Sequence, residues 1–277
     1  MKISILLFLA FVLVACGNIK YEQGPTFMSD KHNGKEPEKQ YENTTKDNKV
    51  NVEDGEKKIE IKKMVYTDRE INIQYPEIVN SGDTEMEKKI NKLIESEALK
   101  IIDTFDGEVA NLALDVVYTP MWIGENFLSV IYGGTSYVND GAHPTNIFFT
   151  TNIDIKKGEK IRLQDTIRID DNFIELFKTG KYVQFDSELN VGAESKDEIN
   201  IFTNEELKNY FRNSDEISDL NGANVFTYYT EDSLGVSIEV PHVLGDHVEF
   251  EINFRDLKQN ILPNSAVWND IEASFSQ

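Results

Sequence analysis

Residues 69–105 read REINIQYPEIVNSGDTEMEKKINKLIESEALKIIDTF, a short alternating segment followed by a longer one of helical period. Apolar and polar residues alternate up to Tyr75, and Pro76 ends the run because proline cannot donate to a strand ladder. From Met86 to Phe105 apolar residues recur every three or four positions, after capping residues at 81–84. The segment therefore predicts a strand and then a long amphipathic helix that ends near Gly107.

Short alternating runs separated by turn residues lie before and after this segment. They predict strands at 59–62, 113–118, 127–137, 145–154, 160–163, 224–230, 233–240 and 247–254, short helices at 170–177 and 204–212, and a final helical turn from 255. This order predicts an α+β fold with antiparallel sheets, a long amphipathic helix packed on one face, and two small consecutive units at 61–155 and 156–262. Residues 263–277 are predicted to be a tail.

The N-terminus carries a lipid-anchor signal. Cys16 is the one cysteine of the chain, Lys2 gives a short positive region, and the apolar run between them is too short to span a bilayer. Because the residues around Cys16 resemble a bacterial lipobox, we predict that 1–15 is a lipoprotein signal peptide and Cys16 is lipidated. An ordinary secretory signal is the alternative. The polar, aperiodic stretch 16–60 predicts a disordered tether.

The folded part is strongly acidic. Residues 61–277 hold 19 Lys and Arg against 39 Asp and Glu, a net charge of −20. Nucleic acid and anionic lipid would be repelled within a Debye length of about 8 Å, so nucleic acid is not a predicted partner. The charge favours basic partners or cations, and an acidic surface that only maintains solubility is the alternative interpretation.

Two groups of motifs carry a resemblance to a known family. The first is Gly133-Gly134 followed by Asp140-Gly141-Ala142-His143-Pro144, and the second is 228–236 followed by Pro241-His242-Val243-Leu244-Gly245. Together they resemble the RsiV-like extracytoplasmic domain family over about residues 62 to 262. That family includes lysozyme-sensing anti-sigma factors and the accessory domains of PdaC-type peptidoglycan deacetylases.

The resemblance implies a binding or sensing domain outside the cytoplasm, with lysozyme as one ligand of the family. The chain departs from both kinds of relative. It begins with an anchor signal where an anti-sigma factor would carry a sigma-binding segment and a transmembrane helix. It also lacks the His-x-x-x-His metal motif that a deacetylase needs. We therefore expect a non-catalytic domain with no cofactor.

Polar residues of the Gly-Ala-His-Pro motif and of the later histidine loop are the site candidates. His143 is either a pH-sensitive ligand or general base beside Asp140, or a residue that orders its loop. The spacing of His242, Asp246 and His247 matches no trusted zinc pattern, so no metal site is predicted. The candidate binding residues are Tyr132, Tyr137, Asp140, Gly141, His143, Pro144, His242 and Asp246.

Two functional hypotheses follow from the sequence. The first is a lipid-anchored cell-envelope protein that binds a basic protein such as lysozyme, for sensing, sequestration or inhibition. The second is a peptidoglycan- or carbohydrate-binding accessory domain, or an unrecognised carbohydrate-active enzyme, with Asp140 and His143 at its site. Both place the protein outside the cytoplasm, attached through Cys16 to a bacterial membrane that the sequence does not specify as inner or outer.

Overall fold

The computed structural model describes residues 59–184, 191–217, 223–263 and 265–274, all of which belong to one compact unit. Cys16, the predicted signal peptide and almost all of the predicted tether lie outside the described residues. Within the described ranges, every helix is too short or too polar to cross a membrane.

The predicted α+β class is confirmed by two sheets and several helices. The strands are β1 Glu60–Asp68, β2 Ile71–Val79, β3 Leu112–Ile123, β4 Phe127–Val138, β5 Thr145–Asp154, β6 Glu159–Lys160, β7 Lys181–Val183, β8 Val225–Tyr229, β9 Ser233–Glu239 and β10 His247–Asn253. The helices are α1 Thr84–Leu99, α2 Leu163–Thr166, α3 Asp171–Lys178, α4 Gly192–Ile201, α5 Asn204–Arg212 and α6 Ala266–Ser274. Short 3-10 turns lie at Lys100–Phe105, Val109–Asn111, His242–Leu244 and Leu257–Gln259.

The first sheet has six strands in chain order, β1 to β6. All neighbours in it are antiparallel except β2 and β3, which run parallel with Ile71 opposite Leu114. The exception follows from α1, because a helix between two strands carries the chain back to the sheet's starting end. The second sheet, β7-β10-β9-β8, is antiparallel throughout.

Helix α1 covers one face of the first sheet, as its period predicts. Asp83 caps it by accepting hydrogen bonds from the amides of Glu85 at 3.1 Å and Met86 at 3.0 Å. Fully buried side chains on its inner face are Ile90, Ile94 and Ala98. Burying each isoleucine contributes about 2 kcal/mol, so packing outweighs the weak intrinsic helicity of the segment.

The α-helix ends earlier than its apolar period predicts. After Leu99 the chain continues as the 3-10 turn Lys100–Phe105, in which the Thr104 hydroxyl donates to the Ile101 carbonyl at 2.7 Å. A hydroxyl that bonds to a backbone carbonyl competes with the α-helical ladder. Gly107 then adopts a φ of 80°, a left-handed conformation that turns the chain toward β3.

The two sheets share their cores. Phe127 of β4 lies in the core of the second sheet, where its ring meets Tyr229 edge-on at 5.7 Å. In the opposite direction, Phe226 of β8 lies in the core of the first sheet. Each sheet thus contributes one phenylalanine to the core of the other, and this aromatic packing holds the two sheets together without a disulfide.

Helix α6 lies in the stretch predicted as a tail and packs into the second core. Val267, Trp268 and Ile271 are at most 3% exposed. The Trp268 indole N–H donates to the Thr166 carbonyl at 2.9 Å, and the Asp270 carboxylate accepts from the amides of the β3–β4 turn. The helix therefore closes the second core and holds the first sheet's hairpin.

Strand β8 is the outer strand of its sheet, and a buried carboxylate covers part of its free edge. Asp215 is 1% exposed and accepts from the amides of Leu163 at 2.8 Å and Thr227 at 2.7 Å, and from the hydroxyls of Thr227 and Ser214, both at 2.9 Å. Its own amide donates to the Val225 carbonyl. Burial raises the pKa of Asp215 above its ordinary value, although the donors oppose this shift.

Side chains of the first sheet cover the rest of the β8 edge. The Asn152 amide donates to the Thr227 carbonyl at 2.8 Å, and the Tyr229 amide donates to Ser129 Oγ at 3.0 Å. Ser129 in turn donates to Asn152 Oδ1 at 2.7 Å. Every bond in this chain is buried, so the outer backbone groups of β8 are paired without a neighbouring strand.

Candidate functional site

Two loops that are about 100 residues apart in the sequence meet at one end of the sheet junction. The loop before β5 carries His143, and the turn after β9 carries His242. Their imidazole rings stack with centroids 3.6 Å apart and an angle of 11° between the ring planes. Both histidines are exposed, so the stacked pair, here called the histidine pair, forms part of the molecular surface.

Asp246 fixes this contact. One carboxylate oxygen lies 2.8 Å from His242 Nδ1, and the other accepts the backbone N–H of Asn146 at 2.8 Å. The Asn146 side chain also donates to the Gly245 carbonyl at 3.2 Å. Gly245 and Asp246 both have positive φ, at 102° and 72°. This left-handed turn brings the carboxylate back against the start of β5.

A cleft of about 240 Å³ opens beside the histidine pair, between β5 and the second sheet. Its apolar lining includes Phe148 and Phe226, and its polar lining includes Asn146, Glu239 and Asp246. The full lining is Ile101, Thr104, Thr145, Asn146, Ile147, Phe148, Phe149, Ile217, Asn224, Phe226, Ser237, Glu239, Val240, Asp246 and His247. A cleft with apolar walls and a few carboxylates suits a long side chain with a polar end.

His247 and Glu249 form a second polar contact on β10, next to the cleft. His247 Nδ1 lies 3.0 Å from Glu249 Oε1, and the two side chains are 12% and 8% exposed. The His247 ring packs at 5.0 Å from the Phe148 ring, which also contacts Tyr228 at 6.2 Å. This aromatic group forms a firm wall on the β5 side of the cleft.

The charge around the cleft is one-sided. Residues 101–155 contain seven acidic residues and 213–254 contain nine, while neither segment contains a lysine or arginine. All residues that line the cleft, and both members of the histidine pair, come from these two segments. The fold therefore brings together the two segments that lack cations.

Lys100, which directly precedes the first segment, belongs to a group of ion pairs with Lys160 and Arg162. Glu97 binds Lys100 at 2.9 Å and Lys160 at 2.5 Å, and Glu216 binds Lys100 at 3.2 Å and also Arg162. Burial by itself would raise the pKa of Glu216, but the three cations around it lower the pKa below its ordinary value. We call this group the ion-pair network.

Several predicted site residues come together, whereas others do not. His143, His242 and Asp246 form the histidine pair and its support. Tyr137 donates to the Gly141 carbonyl at 3.3 Å, Asp140 has a φ of 72°, and His143 Nδ1 lies 3.0 Å from the exposed Pro144's carbonyl oxygen. Tyr132 is fully buried and stacks on Phe149 at 4.6 Å, so its ring belongs to the core. Cys16 lies outside the described residues.

The sequence interpretation missed Asn146, Phe148 and Glu239. Periodicity marks them only as strand residues, which gives no sign that they border a cleft. The signal that points to them is the absence of lysine and arginine from two long segments. The absence of cations points to a site only once the structure shows that the two segments lie next to each other in space.

The histidine pair offers hydrogen bonds and ring contacts to a ligand. In the described structure its hydrogen bonds use Nδ1, which leaves Nε2 of each ring for a ligand. The described ranges contain no group of three His, Cys, Asp or Glu side chains suited to a metal. Within those ranges no serine or threonine hydroxyl is hydrogen-bonded to either ring as a nucleophile would be.

Comparisons with known proteins find similarity to solved structures. No protein-family model and no curated protein matches the chain. A crystal structure of a DUF3298 family member from Bacteroides fragilis is similar at 13% identity, over 78% of this chain and 98% of that one, with a TM-score of 0.48. A DUF3298 family protein from Pseudomonas aeruginosa is similar at 10% identity, over 74% and 94%, with a TM-score of 0.45. Identities this low assign no function to the chain.

Proposed function

We propose that this protein is a lipid-anchored, non-catalytic binding protein of the cell envelope, and that it binds a basic protein such as lysozyme at the cleft beside the histidine pair. One observation carries the proposal. The cleft and the histidine pair are built entirely from two segments that together hold sixteen acidic residues and no lysine or arginine. A cationic partner would meet no like charge from these segments.

Electrostatics supports a protein partner in particular. A net charge of −20 on residues 61–277 attracts a basic protein over about a Debye length and raises its association rate. The ion-pair network places its cations against Glu97 and Glu216, and none of these cations lines the cleft. Charge complementarity of this kind favours specificity and fast encounter.

The surface next to the cleft has the composition of a protein interface. Val243 follows His242 in the same turn and is 78% exposed, although it is a large apolar residue. Two exposed imidazoles and an exposed valine beside a half-apolar cleft offer contact area together with hydrogen bonds. Protein interfaces combine these features, with an apolar centre and a polar rim.

Anchoring through Cys16 forms the second part of the proposal and rests on the lipobox resemblance. We expect the Cys16→Ala variant to lose the acyl chains and to leave the membrane fraction, since the thioether needs the cysteine sulfur. Membrane fractionation and intact-mass measurement test this expectation. A C16A protein that stays in the membrane would contradict it.

Calorimetric titration of the full chain, held in detergent, with hen lysozyme tests the binding function. We expect saturable one-to-one binding that weakens between about 50 and 150 mM salt but persists, because the interface combines charge with apolar contacts. A parallel lysozyme activity assay separates inhibition from simple capture. Absence of binding at both salt concentrations, with binding of peptidoglycan fragments instead, would favour the carbohydrate hypothesis.

A further inference from the structure

Strand β5 has one edge that is only partly covered. Its inner edge pairs with β4 from Thr145 to Asp154 without a register shift. Its outer edge pairs with β6 at Ile153 and Asp154 alone. The outer edge of residues 145–152 therefore has no partner strand among the described residues.

The alternation of hydrogen bonds shows which residues present their backbone on this outer edge. The Asn146 amide donates outward to Asp246 at 2.8 Å, and the Asn152 carbonyl accepts outward from the Ile161 amide at 2.8 Å. In an antiparallel strand the outward residues alternate, so Phe148 and Thr150 also direct their N–H and C=O groups to this edge, and of these two only Phe148 lines the cleft. No donor or acceptor from the described part of the chain bonds to these two groups of Phe148 on that side.

The uncovered position coincides with the cleft. Phe148 lines it, together with both neighbours, Ile147 and Phe149. Free strand edges bind other extended chains readily, which is why proteins usually cover them. Here the edge of β8 is covered by side chains, whereas β5 presents the backbone N–H and C=O of Phe148 at the wall of a cleft.

Glu239 supplies a second recognition group. It is exposed, and its Oε2 accepts from the backbone and side-chain amides of Asn224 at 3.2 and 2.8 Å. These bonds hold the carboxylate at the cleft. Among the described residues no donor bonds to Oε1, so this oxygen can accept a hydrogen bond from a ligand. The nearby apolar residues Phe226 and Val240 suit the aliphatic part of a lysine or arginine side chain.

We propose that the cleft binds an extended segment of its basic partner as an added β-strand, with one residue paired to the N–H and C=O of Phe148 and a lysine or arginine directed to Glu239. This inference rests on the proposed function and specifies its binding mode. The affinity comes from backbone pairing and the specificity from the side-chain cleft, as in other strand-addition complexes.

Singly N-methylated peptides test the backbone pairing. The probe is the blocked peptide Thr-Val-Arg-Val-Thr, compared with versions N-methylated at each of residues 2, 3 and 4, titrated into the full chain in detergent. Because hydrogen bonds alternate along a strand, we expect loss of binding to alternate along the peptide. We also expect the hydrogen exchange of the Phe148 amide to slow at least tenfold in the complex. Uniform effects of methylation, or an unchanged exchange rate, would overturn the proposal.

Glu239→Gln tests the charged contact. The substitution should lower the affinity for the arginine peptide about tenfold. It should change the affinity for Thr-Val-norleucine-Val-Thr, which lacks the charge, by less than twofold. The matched control is Glu231→Gln, which has the same net charge and removes an exposed glutamate at the opposite end of β9. Equal weakening by the two variants would reduce the contact to general electrostatics and overturn the role of Glu239.

A lysozyme titration run in parallel separates this inference from the proposed function. Lysozyme binding without alternating peptide effects would overturn strand addition and leave the proposed function standing. Alternating peptide effects without lysozyme binding would support the strand site and overturn lysozyme as the partner. Absence of both kinds of binding would overturn both proposals.

Discussion

The outer edges of β8 and β5, both near the sheet junction, differ in how their backbone groups are paired. The outer edge of β8 is paired with buried side chains, namely Asp215, Ser129 and Asn152. The outer edge of β5 retains a free backbone pair at Phe148, beside a cleft with a carboxylate. Since both edges belong to one compact unit, we interpret the covered edge as the part that maintains the fold and the free edge as the part where we propose that a ligand binds.

The charges near the two edges differ in the same way. In the ion-pair network three cations neutralise Glu97 and Glu216. At the cleft Glu239 meets only amide donors among the described residues, and no cation lines the walls. Loss of one partner from the ion-pair network would leave a partly buried charge uncompensated, whereas Glu239, which has no cation partner among the described residues, is the carboxylate to which we assign recognition.

The largest effect is expected from opening the covered edge. Asp215→Ala leaves the amides of Leu163 and Thr227 without acceptors in a buried site and should lower the free energy of unfolding by about 3–5 kcal/mol. Chemical denaturation measures the loss. The matched variant Asp103→Ala removes an exposed carboxylate and should change stability by less than about 0.5 kcal/mol. Similar losses for the two variants would contradict the structural role of the β8 edge.

A smaller, pH-dependent effect is expected from the ion-pair network. Because its cations lower the folded-state pKa of Glu216, this group stabilises the fold above the ordinary pKa of 4.5, and the stabilisation is lost as the pH falls through the folded-state value. Glu216→Gln should therefore cost about 1–2 kcal/mol at pH 7 and progressively less below about pH 4.5. Denaturant unfolding at both pH values, with the exposed Glu125→Gln as control, tests this. A cost independent of pH would show that packing, and not charge, is involved.

The smallest effect on stability is expected at the histidine pair. His143→Ala removes an exposed ring and should change the free energy of unfolding by less than about 0.5 kcal/mol. The same variant should weaken lysozyme binding several-fold, because the ring stacks on His242, which contacts Asp246 of the cleft wall. Asn139→Ala, in the same exposed loop, is the control for both measurements. A large loss of stability with unchanged lysozyme binding would show that the histidine pair maintains the fold, as the covered edge of β8 does, and does not bind the ligand.

Most of the regular structure could be predicted because it depends on local pattern. The ends of β5 and of α5 are as predicted, β9 and β10 differ from prediction by one residue at one end, and α3 differs by one residue at both ends. Helix α5 owes this to its capping box, in which Thr203 and Glu206 bond reciprocally. Strong caps and unbroken alternation leave little freedom for the position of an element.

Elements without a strong local pattern were missed or misjudged. Helix α4 buries only Ser195 and Ile199 among its described residues, so its sequence carries almost no helical period. The prediction that Pro76 ends its strand is wrong: β2 continues to Val79, because the nitrogen of Pro76 faces the edge that β3 pairs only at residues 71–73, where no ladder bond is lost. Strand β3 also continues through a proline, Pro120, where the pairing with β4 shifts register. In α6 the deciding contacts are made by Trp268 and Asp270 with distant segments, and a local pattern carries no record of such contacts.

The sequence by itself determined the fold class, the order of most elements, the acidity of the folded part and the likeness of its N-terminus to a lipoprotein signal. These follow from period, turn chemistry and composition, all of which act within a few residues along the chain. Only the tertiary structure decided that His143 stacks on His242, that Asp215 covers the edge of β8, and that the two segments without cations enclose one cleft. Contacts between residues far apart in the chain depend on how the two sheets pack, and a single sequence does not encode that packing as a local pattern.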